Sequence, residues 1–430
     1  MKEMQLESNV IDPKNQAPQS QPVVSPVKEL KPKKPFFLKV WIEKFKLLPK
    51  KKKIIIISLS LFLIVGLSSG IIYYSILCEG RLSDLKFPEI LSAIKSGNWE
   101  FCNVTHNKPD EPKSIESPIN GELFTKSQWE KFSENHPIAV IIENHIAARN
   151  QSGYNSADVV FESLVEGGIT RTMAIFWSNE VESLGPIRSA RQYYIEWFMP
   201  YDPYFMFIGY AEGDPNNYDR RVDSGRSLYE YEIMGLNVGG SFWRVTDKVA
   251  PHNAFSSTET LYKIGENLGY DDIKLSKIEP LAFKNDSPLE DRGTATIATL
   301  RFFERLSNGG LYDVTWEYDR DTNKYYRYNG TTSYLDLNTG EQVYAKNVII
   351  MRNEMVSTYD FKAHIIITTI GEGDATLLRD GQVINCTWKK KDLNSRIHLY
   401  DGEGEEVELN RGIIWYESVP IEEGTAHIEQ

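Results

Sequence analysis

Residues 157–177 read ADVVFESLVEGGITRTMAIFW, and this stretch decides the fold of what surrounds it. Apolar residues dominate on both sides of Gly167-Gly168, a pair that supplies the positive backbone angles of a tight hairpin, so two antiparallel strands are predicted. A two-residue turn sets Glu166 opposite Ile169, Leu164 opposite Arg171 and Glu162 opposite Met173. Residues two apart on a strand share a face, which groups Glu162, Glu166 and Arg171, with Arg171 about 7–8 Å from each carboxylate along the backbone. The cluster reads either as the charged floor of a pocket or as a cross-strand salt-bridge group on a solvated face. A glycosidase pair is disfavoured. Residues four apart on a strand lie about 13 Å apart, whereas paired glycosidase carboxylates lie about 5–9.5 Å apart.

Outward from the hairpin, HPIAVIIEN (136–144) reads as a buried strand, SARQYYIEWFM (189–199) as a helix and YFMFIGY (204–210) as an aromatic strand. Ser256 to Asn267 reads as a helix with a capping box, Ser256 as N-cap and Glu259 three residues on, ended by Gly269. Strands and helices therefore mix in an α+β first domain, residues 117–284. KNDSPLEDRGT (284–294) reads as linker. Beyond it VTWEYD, KYYRYNG, NVIIMRN, HIIITTI, ATLLRDG, INCTWKK and GIIWYESV alternate between turn residues, so a mostly β second domain is expected over 294–420. No internal repeat is present.

The region before these domains has a different character. Residues 1–53 hold 13 Lys against 5 acidic residues, a charge of +8, so the remainder carries −20 of the net −12. An acidic remainder lacks the basic face that nonspecific nucleic-acid binding requires. Met1 to Pro35 is rich in Pro, Gln, Ser and Lys and reads as disordered. Phe36 to Leu48 (FFLKVWIEKFKLL) fits either an amphipathic helix on the inner membrane surface or a charge cluster that only sets orientation.

Residues 54–77, IIIISLSLFLIVGLSSGIIYYSIL, carry no charge. A span needs about 20 apolar residues. With KLLPKKKK before it and CEGRLSD after it, the positive-inside rule predicts a single-pass anchor with a cytoplasmic N-terminus. A cleaved signal has a core of only about 7–15 residues, and Leu77 is too large a neighbour for a lipidated Cys78. Residues 78–116 read as an extracytoplasmic stalk with one short helix near Phe87–Ser96 and a Pro-rich end. Cys78, Cys102 and Cys386 make no disulfide framework, although a Cys102–Cys386 bridge is conceivable.

Two further stretches hold candidate chemistry. GPIRSAR (185–191) follows the second hairpin strand and is read as opening a helix, where free N–H groups favour an anion. Arg188 and Arg191 would then share a face beside Ser189 and offer bidentate grips on phosphate or carboxylate, unless both are consumed by acids such as Glu162 and Glu166. APHN (250–253) offers His252 as general acid, base or hydrogen-bond donor, with the alternative that a lone loop histidine is structural. No second His or Cys stands at ligand spacing from it, so no metal is expected. No P-loop, nucleophile elbow, zinc-protease or dinucleotide motif occurs, and Gly239-Gly240 reads as a turn; no cofactor is implied.

The runs ENHIAARNQSGYNSADVVFESLVEGGITR, GPIRSAR and FWRVTDKVAPHN, with YYRYNGTTSYLDLNTGEQVYAKNVII, INCTWKK and GIIWYESVP, resemble the YerB-like family of bacterial envelope proteins, a domain of unknown function with its C-terminal partner. The resemblance covers about Ser117 to Pro420. It implies an extracytoplasmic protein of a Gram-positive-type bacterium, held by a lipid or a helix, and supplies no reaction. The family pattern falls on Glu143, Asn144, Arg149, Gln151, Ser152, Gly153, Asp158, Glu162, Glu166, Gly167, Gly168, Thr170, Arg171, Gly185, Pro186, Arg188, Ser189, Arg191, His252 and Asn253. The chain departs from it at Asn150, where Pro is usual, and at Ile208-Gly209-Tyr210, where a His-containing segment is expected. The leading expectation is a noncatalytic protein that binds an anionic group of a wall polymer, lipid head group or peptide through Arg171, Arg188 and Arg191, with Asn144, Glu162, Glu166, Ser189, His252 and Asn253 around it. Its rivals are an envelope hydrolase or transferase using Glu166 or His252, and an assembly factor that contacts an envelope protein partner.

Overall fold

The computed structural model describes residues 111–270, 278–294, 297–303 and 310–429, together with Lys46, Leu48, Pro49, Lys50 and Lys52. The chain divides into the units Met1–Lys108 and Pro109–Gln430, and every strand and α-helix described below lies in the second. The anchor, the helix near Phe87–Ser96, Cys78 and Cys102 lie outside the described residues. Among the described residues no helix is long and apolar enough to cross a membrane.

A nine-stranded mixed sheet forms the centre of the second unit. Its strands are β1 (Ile138–Glu143), β2 (Val159–Leu164), β3 (Thr170–Phe176), β4 (Tyr204–Met206), β5 (Asn347–Asn353), β6 (Gly371–Arg379), β7 (Gln382–Lys390), β8 (His398–Tyr400) and β9 (Ile414–Pro420), in the order β8-β7-β6-β5-β9-β2-β3-β1-β4. The last of them, β9, lies parallel to both β5 and β2. The two segments that the sequence separates by a linker therefore complete one sheet.

Strand alternation then sorts the core. From β2, Val159 and Phe161 face one way, with Tyr416, Ile349 and Leu377 from the other segment. Helix α2 (Gln192–Phe198) covers this face: Trp197 stacks on Phe161 at 5.4 Å between centroids, and Tyr416 stacks on Phe161 from the sheet at 4.6 Å. From the same strand Val160 and Leu164 face the other way, toward a six-stranded sheet that includes Ile297–Arg301, Val314–Asp319, Lys324–Asn329 and Thr425–Glu429. Trp316 and Trp415 meet there edge to face at 5.2 Å. Both faces being covered explains why β2, β5 and β9 read as almost continuous apolar runs. The fold is α+β with mostly strand content, as the alternating pattern implies.

Several boundaries shift. Helix α1 (Lys126–Phe132), which the hydrophobic pattern leaves unmarked, is held by a capping box between Thr125 and Gln128 and docks on Trp177 through Trp129 and Phe132. Helix α3 (Ser224–Glu230) is likewise short and unforeseen. Helix α4 (Thr258–Asn267) is capped by Ser257, one residue beyond the expected Ser256, because the Ser257 hydroxyl accepts from the Thr260 amide. Lys284 and Ser287, in the stretch read as linker, hydrogen-bond to Asp380, whose carboxylate also receives the amides of Asn323 and Asn410. Cys386 carries a free, buried thiol.

Candidate functional site

The hairpin places its charges differently from a two-residue turn. Glu166-Gly167-Gly168 forms one turn of 3-10 helix closed by the Val165 amide on the Ile169 carbonyl, so Leu164 pairs with Thr170, Ser163 with Arg171 and Glu162 with Thr172. Gly167 and Gly168 have φ of 75° and 69°, conformations that favour glycine. A one-residue register slip exchanges sheet faces. Glu162 consequently lies on the face toward the six-stranded sheet, while Arg171 lies on the α2 face, where its cross-strand partner is Glu143. The expected grouping of Glu162 with Glu166 and Arg171 does not form.

Arg188 and Arg191 are also not on a helix. Residues 185–190 run extended, bridged to β1 at Ile187 and to Tyr210 at Ala190, and α2 begins only at Gln192, with Arg191 as its extended N-cap. Three residues along an extended chain bring a side chain to the opposite side. The two arginines accordingly serve different acids.

Arg191 meets Glu166 with two hydrogen bonds of 2.6 Å, Nε to Oε1 and Nη2 to Oε2. Burial works to raise the Glu166 pKa, but the bonds and charge of Arg191 hold it below the ordinary glutamate value. Arg171 donates to the Ser189 carbonyl at 2.9 Å and is 7 % exposed. Burial, with the charge of Arg191 beside it, lowers its pKa to about 10. Arg191 and Glu166 occupy one another, while the buried Nε of Arg171 has no hydrogen-bond partner among the described residues.

Glu162 is fully buried and receives Nη2 of Arg327, at 2.9 Å on Oε1 and 2.8 Å on Oε2. Its neighbour on β9 is Glu417, also buried, whose Oε1 accepts from the Trp316 indole at 2.8 Å. Burial first, and the Glu162 charge second, raise the Glu417 pKa well above the glutamate value, which favours its protonated form. Asn144 belongs to this buried group, donating to Thr170 at 2.7 Å and accepting from Arg149 at 3.1 Å. Arg327 and Glu417 were invisible as partners from sequence; the only signal was a charge inside each of two apolar strands.

One cluster is both polar and open. Glu143, at the end of β1, accepts from Nε of Arg188 at 2.9 Å and from Nδ1 of His252 at 2.8 Å. Its side chain is 4 % exposed, that of Arg188 26 % and that of His252 18 %. His145 stacks on His252 at 4.6 Å and 14°. The Ala147 amide donates to Nδ1 of His145, so the proton of the neutral ring sits on Nε2. Burial, then the charge of His252, lowers the His145 pKa. The two terminal nitrogens of Arg188 and both histidine Nε2 atoms make no hydrogen bond among the described residues.

The loop that carries His252 is pinned from below. Asn253 is buried and donates to the carbonyls of Val245 and Lys248, while its Oδ1 accepts from Arg244 at 2.7 Å. Lys248 in turn donates to the carbonyls of Ala148 and Arg149 at 3.1 and 2.9 Å. Ser189 spends its hydroxyl on the Ile208 carbonyl. Of the residues singled out from sequence, the structure thus gathers Arg188 and His252 around Glu143, uses Asn253 to hold them, and sends the rest to separate pairs. No group of three or more metal-ligating side chains occurs among the described residues.

Two family descriptions match this chain, the N-terminal domain of a protein of unknown function (DUF3048) over residues 124–271 and its C-terminal domain over 305–416. The chain belongs to this family. A family relative, the candidate lipoprotein YerB of Bacillus subtilis (strain 168), is 31% identical over 322 residues, which is 74% of this chain and 90% of that one. The crystal structure of YerB from Bacillus subtilis is similar with a TM-score of 0.61 and 27% identity, covering 73% of this chain and 100% of that one. Glu162 lies in the N-terminal family segment and Arg327 in the C-terminal one, so their ion pair is a contact between the family's two parts, with Glu417 one residue past the second segment. The Arg149–Asn150 peptide bond is cis.

Proposed function

We propose that this chain is a membrane-anchored envelope protein, held by residues 54–77 with its folded unit outside, that binds a phosphate-bearing envelope group at Arg188, His145 and His252. The observation that carries the reading is the state of Arg188. Glu143 holds its Nε and leaves the planar outer edge of the guanidinium, the part suited to two parallel bonds with an oxyanion, facing no protein acceptor among the described residues. His145 adds an Nε2–H donor in either protonation state. Among the described residues Glu143 is the one carboxylate bonded to this cluster, and Arg149 and Lys248 lie close by, so the local charge favours an anion. Arg191, expected to share this role, is paired with Glu166, and Arg171 is buried with Nη1 on the Ser189 carbonyl, so the reading rests on Arg188.

A phosphate group is presented both by wall polymers and by lipid head groups, and one experiment separates them. The full chain in phosphatidylcholine nanodiscs is titrated with a soluble glycerol-phosphate oligomer, and separately reconstituted with phosphatidylglycerol. Saturable binding of the oligomer, weakened at least tenfold in Arg188→Ala, supports a wall-polymer ligand. An Arg188-dependent response to phosphatidylglycerol alone supports a lipid ligand. Indifference of both responses to Arg188→Ala removes the proposal.

A second reading takes support from the bond between Glu143 and His252, since a carboxylate on Nδ1 orients an imidazole for proton transfer at Nε2. Glu166, the alternative acid or base, is bound to Arg191, so this reading rests on His252. Hydrolysis of wall material that disappears in both His252→Gln and Glu143→Gln would favour this reading over simple binding.

A further inference from the structure

The loops that hold His145 and His252 each run on into exposed apolar residues. Ile146 and Ala147 follow the first histidine, and Val249, Ala250 and Pro251 precede the second, with Ile146 49 % exposed and Val249 80 %. The two tips lie side by side. The stacked rings set them 4.6 Å apart, and Lys248 ties the backbones together through the carbonyls of Ala148 and Arg149. Each tip is a closed turn: the Ala147 amide donates to Nδ1 of His145, and the His252 amide donates to the Val249 carbonyl. A single exposed aliphatic side chain needs no explanation. Apolar residues gathered on two tied turns, bordering an open polar cluster, form a rim.

The charges beside this rim favour an anion. Segments 143–149, 185–190 and 243–253 hold Arg149, Arg188, Arg244 and Lys248 against Glu143 and Asp247, with His145 and His252 besides. On the elements packed against them, Glu162 is paired with Arg327, Glu166 with Arg191 and Asp313 with Arg301. Four cations therefore stand against two free acids. None of the five rim residues carries an aromatic ring or a polar side-chain atom, whereas the energetic centres of protein interfaces are rich in Trp, Tyr and Arg and poor in Val. An aliphatic chain asks for no polar partner, and each methylene removed from water tightens binding by up to about fourfold. An oxyanion with a hydrocarbon chain attached matches both halves of the surface.

We propose that the ligand of the Arg188 cluster is an amphiphilic phosphate, its oxyanion at Arg188, His145 and His252 and the first carbons of its chain on the rim of Ile146, Ala147, Val249, Ala250 and Pro251. This rests on the anion reading of the cluster and narrows the ligand class to a lipid phosphate over a hydrophilic wall polymer. The exposure of Ile146 and Val249 makes their replacement compatible with folding.

The full chain in phosphatidylcholine nanodiscs is titrated with methyl, butyl and hexyl phosphate, with empty nanodiscs as the background for partitioning. Affinity is expected to rise at least tenfold from methyl to hexyl phosphate. The Ile146→Ser, Val249→Ser double variant should shrink that ratio to within about twofold and bind methyl phosphate as the wild type does, while Arg188→Ala should weaken all three. Equal affinity for the three phosphates, as a hydrophilic ligand or a rim made for a protein would give, overturns the amphiphile. So does a chain-length preference that survives the double variant. In either case Arg188-dependent binding of methyl phosphate still upholds the anion reading; its absence for all three phosphates overturns both.

Discussion

Glu162 and Glu417 are direct neighbours on the parallel strands β2 and β9, and Arg327 bonds the first of them. One guanidinium thus neutralises one of two buried carboxyl groups, and the raised pKa of the other favours its protonated form. Removing one member of a buried ion pair strands its partner and costs about 3–5 kcal/mol. Glu162→Gln should therefore lower unfolding stability by about that amount, whereas Glu417→Gln, which keeps an acceptor for the Trp316 indole, should change it by less than about 1 kcal/mol near pH 5. Urea denaturation of both variants checks this contrast.

The same pair predicts a pH dependence. The folded pKa of Glu417 lies above its unfolded value, so its contribution is complete below the unfolded pKa and is lost as pH rises through the folded one. Wild-type stability should fall from about pH 4.5 upward relative to Glu417→Gln, which has no proton to lose. Parallel curves across that range would show that Glu417 does not titrate.

Phe161 contacts α2 through Trp197 and β9 through Tyr416, so it ties three elements at one ring. Phe161→Ala should cost about 3–5 kcal/mol, from lost burial and the cavity left behind. Differential scanning calorimetry should show a single transition moved down, because the segments share a sheet.

Arg188 and Arg191 should separate by phenotype. Arg191→Ala leaves Glu166 without its two bonds in a mostly buried setting and should cost about 2–3 kcal/mol. Arg188→Ala, at a side chain 26 % exposed, should cost about 1 kcal/mol or less while abolishing anion binding. Thermal unfolding and a glycerol-phosphate titration on the two variants measure both halves.

Much of this was legible from the chain. The alternation in VTWEYD and NVIIMRN returned strands with the same ends, Val314–Asp319 and Asn347–Asn353, because turn residues bound each run. The hairpin around Gly167-Gly168 was legible in kind and not in register: two glycines fit a two-residue turn, yet the chain closes around Glu166 as well. That single residue sent Glu162 and Arg171 to opposite faces. Arg188 and His252 were recognisable as polar side chains in long motifs, but Glu143, which joins them, read as the end of a buried strand. Long-range partners such as Glu162 and Arg327, 165 residues apart, leave no local signature.

Anchoring makes its own prediction. If residues 54–77 form a retained helix, Cys78→Ser should leave the protein in the membrane fraction after alkaline extraction, and deletion of Met1–Leu77 should release it. Release by Cys78→Ser alone would identify a lipid anchor instead.

A phosphate group is proposed to meet Arg188 beside the His145–His252 pair. Nitrogen-15 spectra of the histidine rings test this, with His364, bonded to Asp360 within a separate turn, as internal reference. Titration with glycerol phosphate should shift the Nε2 signals of His145 and His252, leave His364 in place, and lose its effect in Arg188→Ala. Unmoved His145 and His252 signals at saturating glycerol phosphate would contradict the account.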